Sequence, residues 1–203
     1  SIFASATHTH SAPSQRSDYP EQPSDVMTPE EYREFLSNRA AEAVAKAWQN
    51  REPGGIGYGI STAFVGCNRR MTTYSGESVM YGDTDDPAFS HVEGDEDHWV
   101  NVLTTYKENG DITGAVVNIA CPSQVSEQSS FITADYWNEA REEIRQQLGK
   151  EIHIISQCSA AGDQSPHLLL NRTAQARMIH LQESVDMAEN ERQTQEMRMA
   201  HRR

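Results

Sequence analysis

The chain has 203 residues and a mass of 22.7 kDa, long enough to bury a core, and its 36% hydrophobic and 23% charged residues match an ordinary globular protein. Thirty Asp and Glu against seventeen Lys and Arg leave a formal net charge of -13, a field that repels phosphate backbones and disfavours non-specific nucleic-acid binding. No apolar run approaches the roughly 20 residues needed to cross a bilayer, and three cysteines, Cys67, Cys121 and Cys158, are too few and too unevenly spaced for a zinc knuckle or a disulfide framework.

The chain opens on Ser1 with "SIFASAT", which reads as a strand already under way, and closes on the charged helix-forming "NERQTQEMRMAHRR"; both ends suggest a piece of a longer chain. Within "SATHTH" the two histidines, His8 and His10, stand two apart, so on a strand both face one side. Residues 11–27 hold three prolines and four serines and read as an irregular loop. A helix follows over 29–50: Thr28 is its N-cap, Pro29 its first residue and Glu31 completes a capping box. Tyr32, Phe35, Leu36, Ala40, Ala43, Val44 and Ala47 form its stripe, expected to face a core. "IGYGISTAFVG" (56–66) reads as a strand and the acidic 72–97 as a solvated loop. "HWVNVLTTYKENGDITGAVVNIACP" reads as two strands joined at Asn109-Gly110. A second helix spans 135–148, capped by Thr133 or Asp135 and stopped by Gly149. "KEIHIISQ" is then a short strand breaking into "CSAAGDQSP", and from about 171 the chain is helix-forming and polar all round. The expected class is α/β in the broad sense, mixed α+β: a layered mixed sheet flanked by helices, with one domain over 1–170 and a helical segment over 171–203.

Four groups offer chemistry. His8 and His10 suit a borderline metal such as zinc, or are hydrogen-bonded histidines at a strand end. In "SAAGDQSPH" Ser165 follows a strand-to-loop break, with Gly162 permitting a sharp turn and Asp163 and His167 flanking it. It is a candidate nucleophile without the G-x-S-x-G elbow, so its base must come from elsewhere: His8, His10 or a metal-bound hydroxide. In "CNRRM" the Arg69 guanidinium is a fork matched to a carboxylate or a developing oxyanion, although paired arginines more often form surface ion pairs. Cys121 ends an apolar strand, where a cysteine is usually a small buried hydrophobe.

Three of these segments, in order, resemble motifs of the neutral/alkaline non-lysosomal ceramidase family: "SATHTHSAP" is similar to its T-H-T-H-S-G-P segment, "NRR" to its N-R motif, and "AGDQSP" to its G-D-x-S-P loop. "DPAFSHVEGDEDHWVNVL" and "ITADYW" resemble further stretches, so the likeness runs over most of 1–170. The resemblance implies a zinc-dependent hydrolase cleaving an N-acyl, sphingolipid-like amide of a small-molecule or lipid substrate. Its implied roles are His8 as zinc ligand, His10 as stabiliser of charge on the substrate oxygen, Arg69 as an aid to substrate or transition state, and Ser165 as nucleophile. Where the family carries a further zinc-binding histidine this chain has "ACPSQV", leaving Cys121 or Gln124 as the replacement, or no ligand there at all. The family's remaining Glu and Tyr ligands belong to a later segment, and its members are typically exported. The alternative expectation is a non-catalytic or metal-free relative acting as a binding or structural module.

Overall fold

In the computed structural model, residues 2–16, 24–127, 129–149 and 151–169, with 180, 181 and 184, are described. The chain divides into two units, Ser1–Asn68 with Asp95–His167, and Arg69–Gly94 with Leu168–Arg203. The described secondary structure is mixed α+β, as the alternation of the two periods predicts. The expected 171–203 segment lies, apart from those three residues, outside the described residues.

In the first unit Thr28 opens helix α1 (Pro29–Gln49): its side chain accepts from the Glu31 N–H, and the Glu31 carboxylate accepts from the Thr28 N–H at 2.8 Å. The reciprocal pair satisfies two of the amide donors that every helix start leaves over. The stripe expected to face a core does not do so, because Pro29 alone is buried in α1 while Phe35, Leu36, Val44 and Trp48 are exposed. Caps and the local pairs Arg33–Glu30 and Arg39–Glu42 hold this helix.

Four strands build the main sheet of this unit: β1 (Gly54–Thr62), β6 (Trp99–Lys107), β7 (Ile112–Ile119) and β8 (His153–Cys158), in the order β1-β6-β7-β8. β1 and β6 pair antiparallel from Gly54↔Lys107 to Thr62↔Trp99, and β6 and β7 form the expected hairpin. Gly110 takes φ +91° in its turn. Helix α2 (Trp137–Leu148) carries the chain from β7 to β8, which therefore pairs parallel to β7, with Gly114 opposite His153. Ile119, Cys121 and Trp137 form the core, joined by Val65, Val100, Val117, Tyr136 and Ala140. A two-residue ladder between β2 (Cys67–Asn68) and β9 (Gln164–Ser165) completes the unit.

The segment 5–10 is not a strand. His8 sits at φ +58°, a left-handed conformation that breaks any extended run. The segment is tied down instead by one residue of the chain after β7: the Ser123 N–H donates to Thr7 O at 3.1 Å and the His10 N–H donates to Ser123 O at 3.4 Å.

In the second unit, β3 (Arg70–Thr73) lies between β4 (Ser78–Met80) and β5 (Phe89–Val92). The acidic stretch expected to be loop throughout thus contributes two strands. Its aspartates do turn work between the two strands, Asp83 accepting from the Asp85 N–H and Asp86 from the Ala88 N–H.

Candidate functional site

Ser165 is positioned by backbone pairing. It lies opposite Cys67 in the β2–β9 ladder, and Asn68, opposite Gln164, donates through its side-chain amide to Asp163 Oδ2 at 3.0 Å. The Asn68 N–H donates to Glu96 Oε1 at 3.2 Å. Gly66, just before this ladder, has no room for a side chain, since a Cβ there would lie 2.8 Å from the Ala120 carbonyl oxygen. The "CN" and "DQS" motifs therefore form one structural piece against the end of β7. Ser165 is wholly buried, and its hydroxyl oxygen accepts from the His167 N–H at 3.1 Å.

His8 and His10 do converge, by a different route from the expected one. With His8 in the left-handed region the two rings lie together at a tilt, their centroids 5.1 Å apart and their planes 35° from parallel. The His10 ring then meets two side chains of the 123–127 loop. Its Nδ1 lies 3.1 Å from Glu127 Oε2, and the Gln124 side-chain nitrogen stands 3.0 Å from its Nε2 and 3.2 Å from its Nδ1. Gln124 also donates to Glu127 Oε2 at 3.2 Å, which fixes the orientation of its amide because a carboxylate only accepts.

His167 reaches the same loop from the other side. Its Nε2 is 2.9 Å from the Gln124 backbone carbonyl, so this nitrogen carries the hydrogen, and it lies 3.6 Å from Glu127 Oε1. The two oxygens of Glu127 thus face one imidazole each. A continuous path of named contacts runs from His10 through Gln124 and Glu127 to His167 and the Ser165 hydroxyl.

Asp135 anchors the loop that carries Glu127. Its carboxylate accepts from the Val125 N–H at 3.1 Å, the Ser126 N–H at 2.7 Å and the Ser126 hydroxyl at 2.6 Å. Burial works to raise this carboxyl, but the donors of Ser126, Tyr136 and Val125 outweigh it and hold it below the usual carboxylate range. Asp135 does not cap α2, whose N-cap, Tyr136, makes no side-chain capping bond. Its backbone at φ +57° is a conformation that Asp tolerates better than most residues.

Cys121 belongs to the core and not to this path. It is fully buried, its Sγ lies 3.6 Å from both the Val65 and Pro122 carbonyl oxygens, and burial pushes its thiol up to about 12. Zinc binds the thiolate. Among the described residues no group of three or more His, Cys, Asp or Glu side chains is arranged to hold a metal ion.

Arg69 lies in the second unit, where its Nη1 donates to the Tyr81 hydroxyl at 2.5 Å and its guanidinium stands 5.1 Å from the centre of that ring. The Tyr81 N–H donates in turn to the Arg69 carbonyl at 2.8 Å. Glu127 is the site residue that sequence reasoning missed: it sits in "QVSEQSS", a polar run with no periodicity to mark it.

No family model matches the chain, and no curated protein does. Among solved structures it is similar to neutral ceramidase from Pseudomonas aeruginosa, at 18% identity and a TM-score of 0.52, over 70% of this chain and 22% of that one. It is likewise similar to a ceramidase complexed with C2, at 18% identity and a TM-score of 0.52, over 68% and 20% of the two chains. The chain therefore spans about a fifth of the length of these ceramidases. What it shares with them is the fold of this part.

Proposed function

We propose that the chain is part of a ceramidase-like hydrolase that cleaves an N-acyl amide, with Ser165 as nucleophile and His10 as the group that moves its proton. The observation that carries this reading is the contact path from His10 through Gln124, Glu127 and His167 to Ser165, built on the segments whose motifs resemble the ceramidases. In the reaction Ser165 Oγ bonds to the acyl carbon and His10 takes the hydroxyl proton. The carbon–nitrogen bond then breaks, His10 returns the proton to the leaving amine, and water hydrolyses the acyl-serine. Ser165 is wholly buried, so whatever covers it must move before a substrate carbonyl reaches Oγ. Arg69 is the proposed aid to the transition state, and the acyl group's lipid character follows only from the fold likeness. The steps named here are those of this chain's own residues.

Hydrolysis of a short fluorogenic N-acyl amide by the full-length protein is the test. Ser165→Ala should lower kcat at least 100-fold, a loss of the size expected when a central catalytic group is removed. An unchanged rate rejects the nucleophile. The second reading, a non-catalytic binding relative, is favoured by the complete burial of Ser165. It predicts no turnover by the wild type and unchanged amide binding in Ser165→Ala.

A further inference from the structure

We infer that the free edge of β1 is the joint of a two-fold dimer, in which a second copy of this chain adds its own β1 antiparallel and two four-stranded sheets become one continuous sheet. Among the described residues β1 pairs with β6 alone, so its other side is a sheet edge. An open edge is a template for further pairing, and folded chains blunt it with charge, proline, a bulge or a short strand. β1 uses none of these. Its nine residues, "GGIGYGIST", hold no charged side chain and no proline, and its register with β6 runs without a shift. Ile56, Tyr58 and Ile60 stand on one of its faces, 76%, 68% and 54% exposed.

The strand's own sequence selects the occupant. Two copies related by a two-fold axis present the same strand to each other in opposite directions, and one register alone uses all nine residues, Gly54 against Thr62 and inward to an axis at Tyr58. That register sets Ile56 against Ile60 of the second copy and Tyr58 against Tyr58 of the second copy, the directly opposite apolar and aromatic pairs that stabilise a sheet. On the reverse face Gly57 meets Gly59 of the second copy, with no side chains to collide. The apolar row Tyr58↔Leu103↔Val116↔Ile155 then continues through the axis into the second sheet. Charge agrees with this choice: copies of a chain with net charge -13 repel, and an uncharged strand is a surface on which they meet without setting like charges face to face. The joint is about 30 Å long and one sheet layer, about 10 Å, deep, so it covers roughly 300 Å² on each copy against about 800 Å² in a standard interface. Main-chain hydrogen bonds supply the affinity of an added strand, and the small area makes the pair reversible.

Sedimentation equilibrium of the full-length protein from about 1 to about 500 µM, a span suited to weak interfaces, is the test. Wild type should pass from monomer to dimer and stop there, because pairing uses up the β1 edge of both copies. Tyr58→Lys and Tyr58→Glu each replace the central aromatic pair by two like charges and should raise the dissociation constant about 10-fold. An equimolar mixture of those two variants sets opposite charges across the axis and should restore the dimer. Ile155→Lys, on the same face but three strands from the joint, should leave it intact. Circular dichroism confirms that each variant is folded. A wild type that stays monomeric throughout overturns the inference, as does a dimer undiminished in folded Tyr58→Lys. Loss of the dimer in folded Ile155→Lys assigns association to the sheet face and overturns it equally.

Discussion

Asp135 shows how one buried charge organises the loop after β7. Four hydrogen-bonding groups stabilise its ionised form more than burial penalises it, so its folded carboxyl titrates below the ordinary value of 3.8. A carboxyl depressed on folding contributes stability that is fully present above that ordinary value and is lost as pH falls through the folded one. Asp135→Asn should therefore cost about 1–3 kcal/mol at neutral pH, the usual size for hydrogen bonds to a buried charge. In urea titrations the gap between wild type and variant should narrow as pH drops below about 4. A gap constant from pH 7 to pH 3 contradicts this account. Cys121 teaches the opposite lesson: desolvation without comparable donors pushes a thiol away from ionisation and makes it a core side chain.

Among the elements, the β6–β7 hairpin was the most legible. Asn109 and Asp111 bond to each other across Gly110 by both side chain and backbone, and the glycine takes the positive φ that its turn demands. A Cβ at Gly110 would meet nothing within 4 Å, so Gly110→Ala tests backbone strain alone. It should destabilise by about 1 kcal/mol with no change in the core, read as a lower urea midpoint at constant m-value. The helix over 29–50 was legible for the same local reason, since its capping box lies within four residues. Segment 5–10 was not: its threonines and alternation suit a strand, but pairing to Ser123 and the turn at His8 are decided more than 100 residues away.

At the scale of the whole molecule, the main sheet of the first unit has two unlike faces. Val100 and Val117 face the core with Trp137, while the register Tyr58↔Leu103↔Val116↔Ile155 places the opposite side chains of four strands in one row. Ile56, Tyr58, Ile60, Leu103 and Ile155 are all exposed. Such a contiguous apolar surface binds hydrophobic dyes and promotes association. We expect the folded chain to enhance the fluorescence of such a dye, and Ile56→Lys with Ile60→Lys to reduce that signal by more than half. Because both side chains are already in water, the pair should alter unfolding free energy by no more than about 1 kcal/mol. An undiminished dye signal in the folded variant places the binding elsewhere.

The sequence by itself determined what short-range chemistry governs: the caps of α1, the turn at Gly110, the period-two strands, and a mixed α+β class. It also singled out His10 and Ser165 as candidates for one site. Only the tertiary structure decided that Glu127 stands between two imidazoles, that Cys121 is core, that Ser165 is covered and that the α1 stripe is exposed. The physical reason is range. Caps and turns are satisfied within a few residues, whereas burial and the partners of a charged side chain depend on which distant segments folding brings alongside.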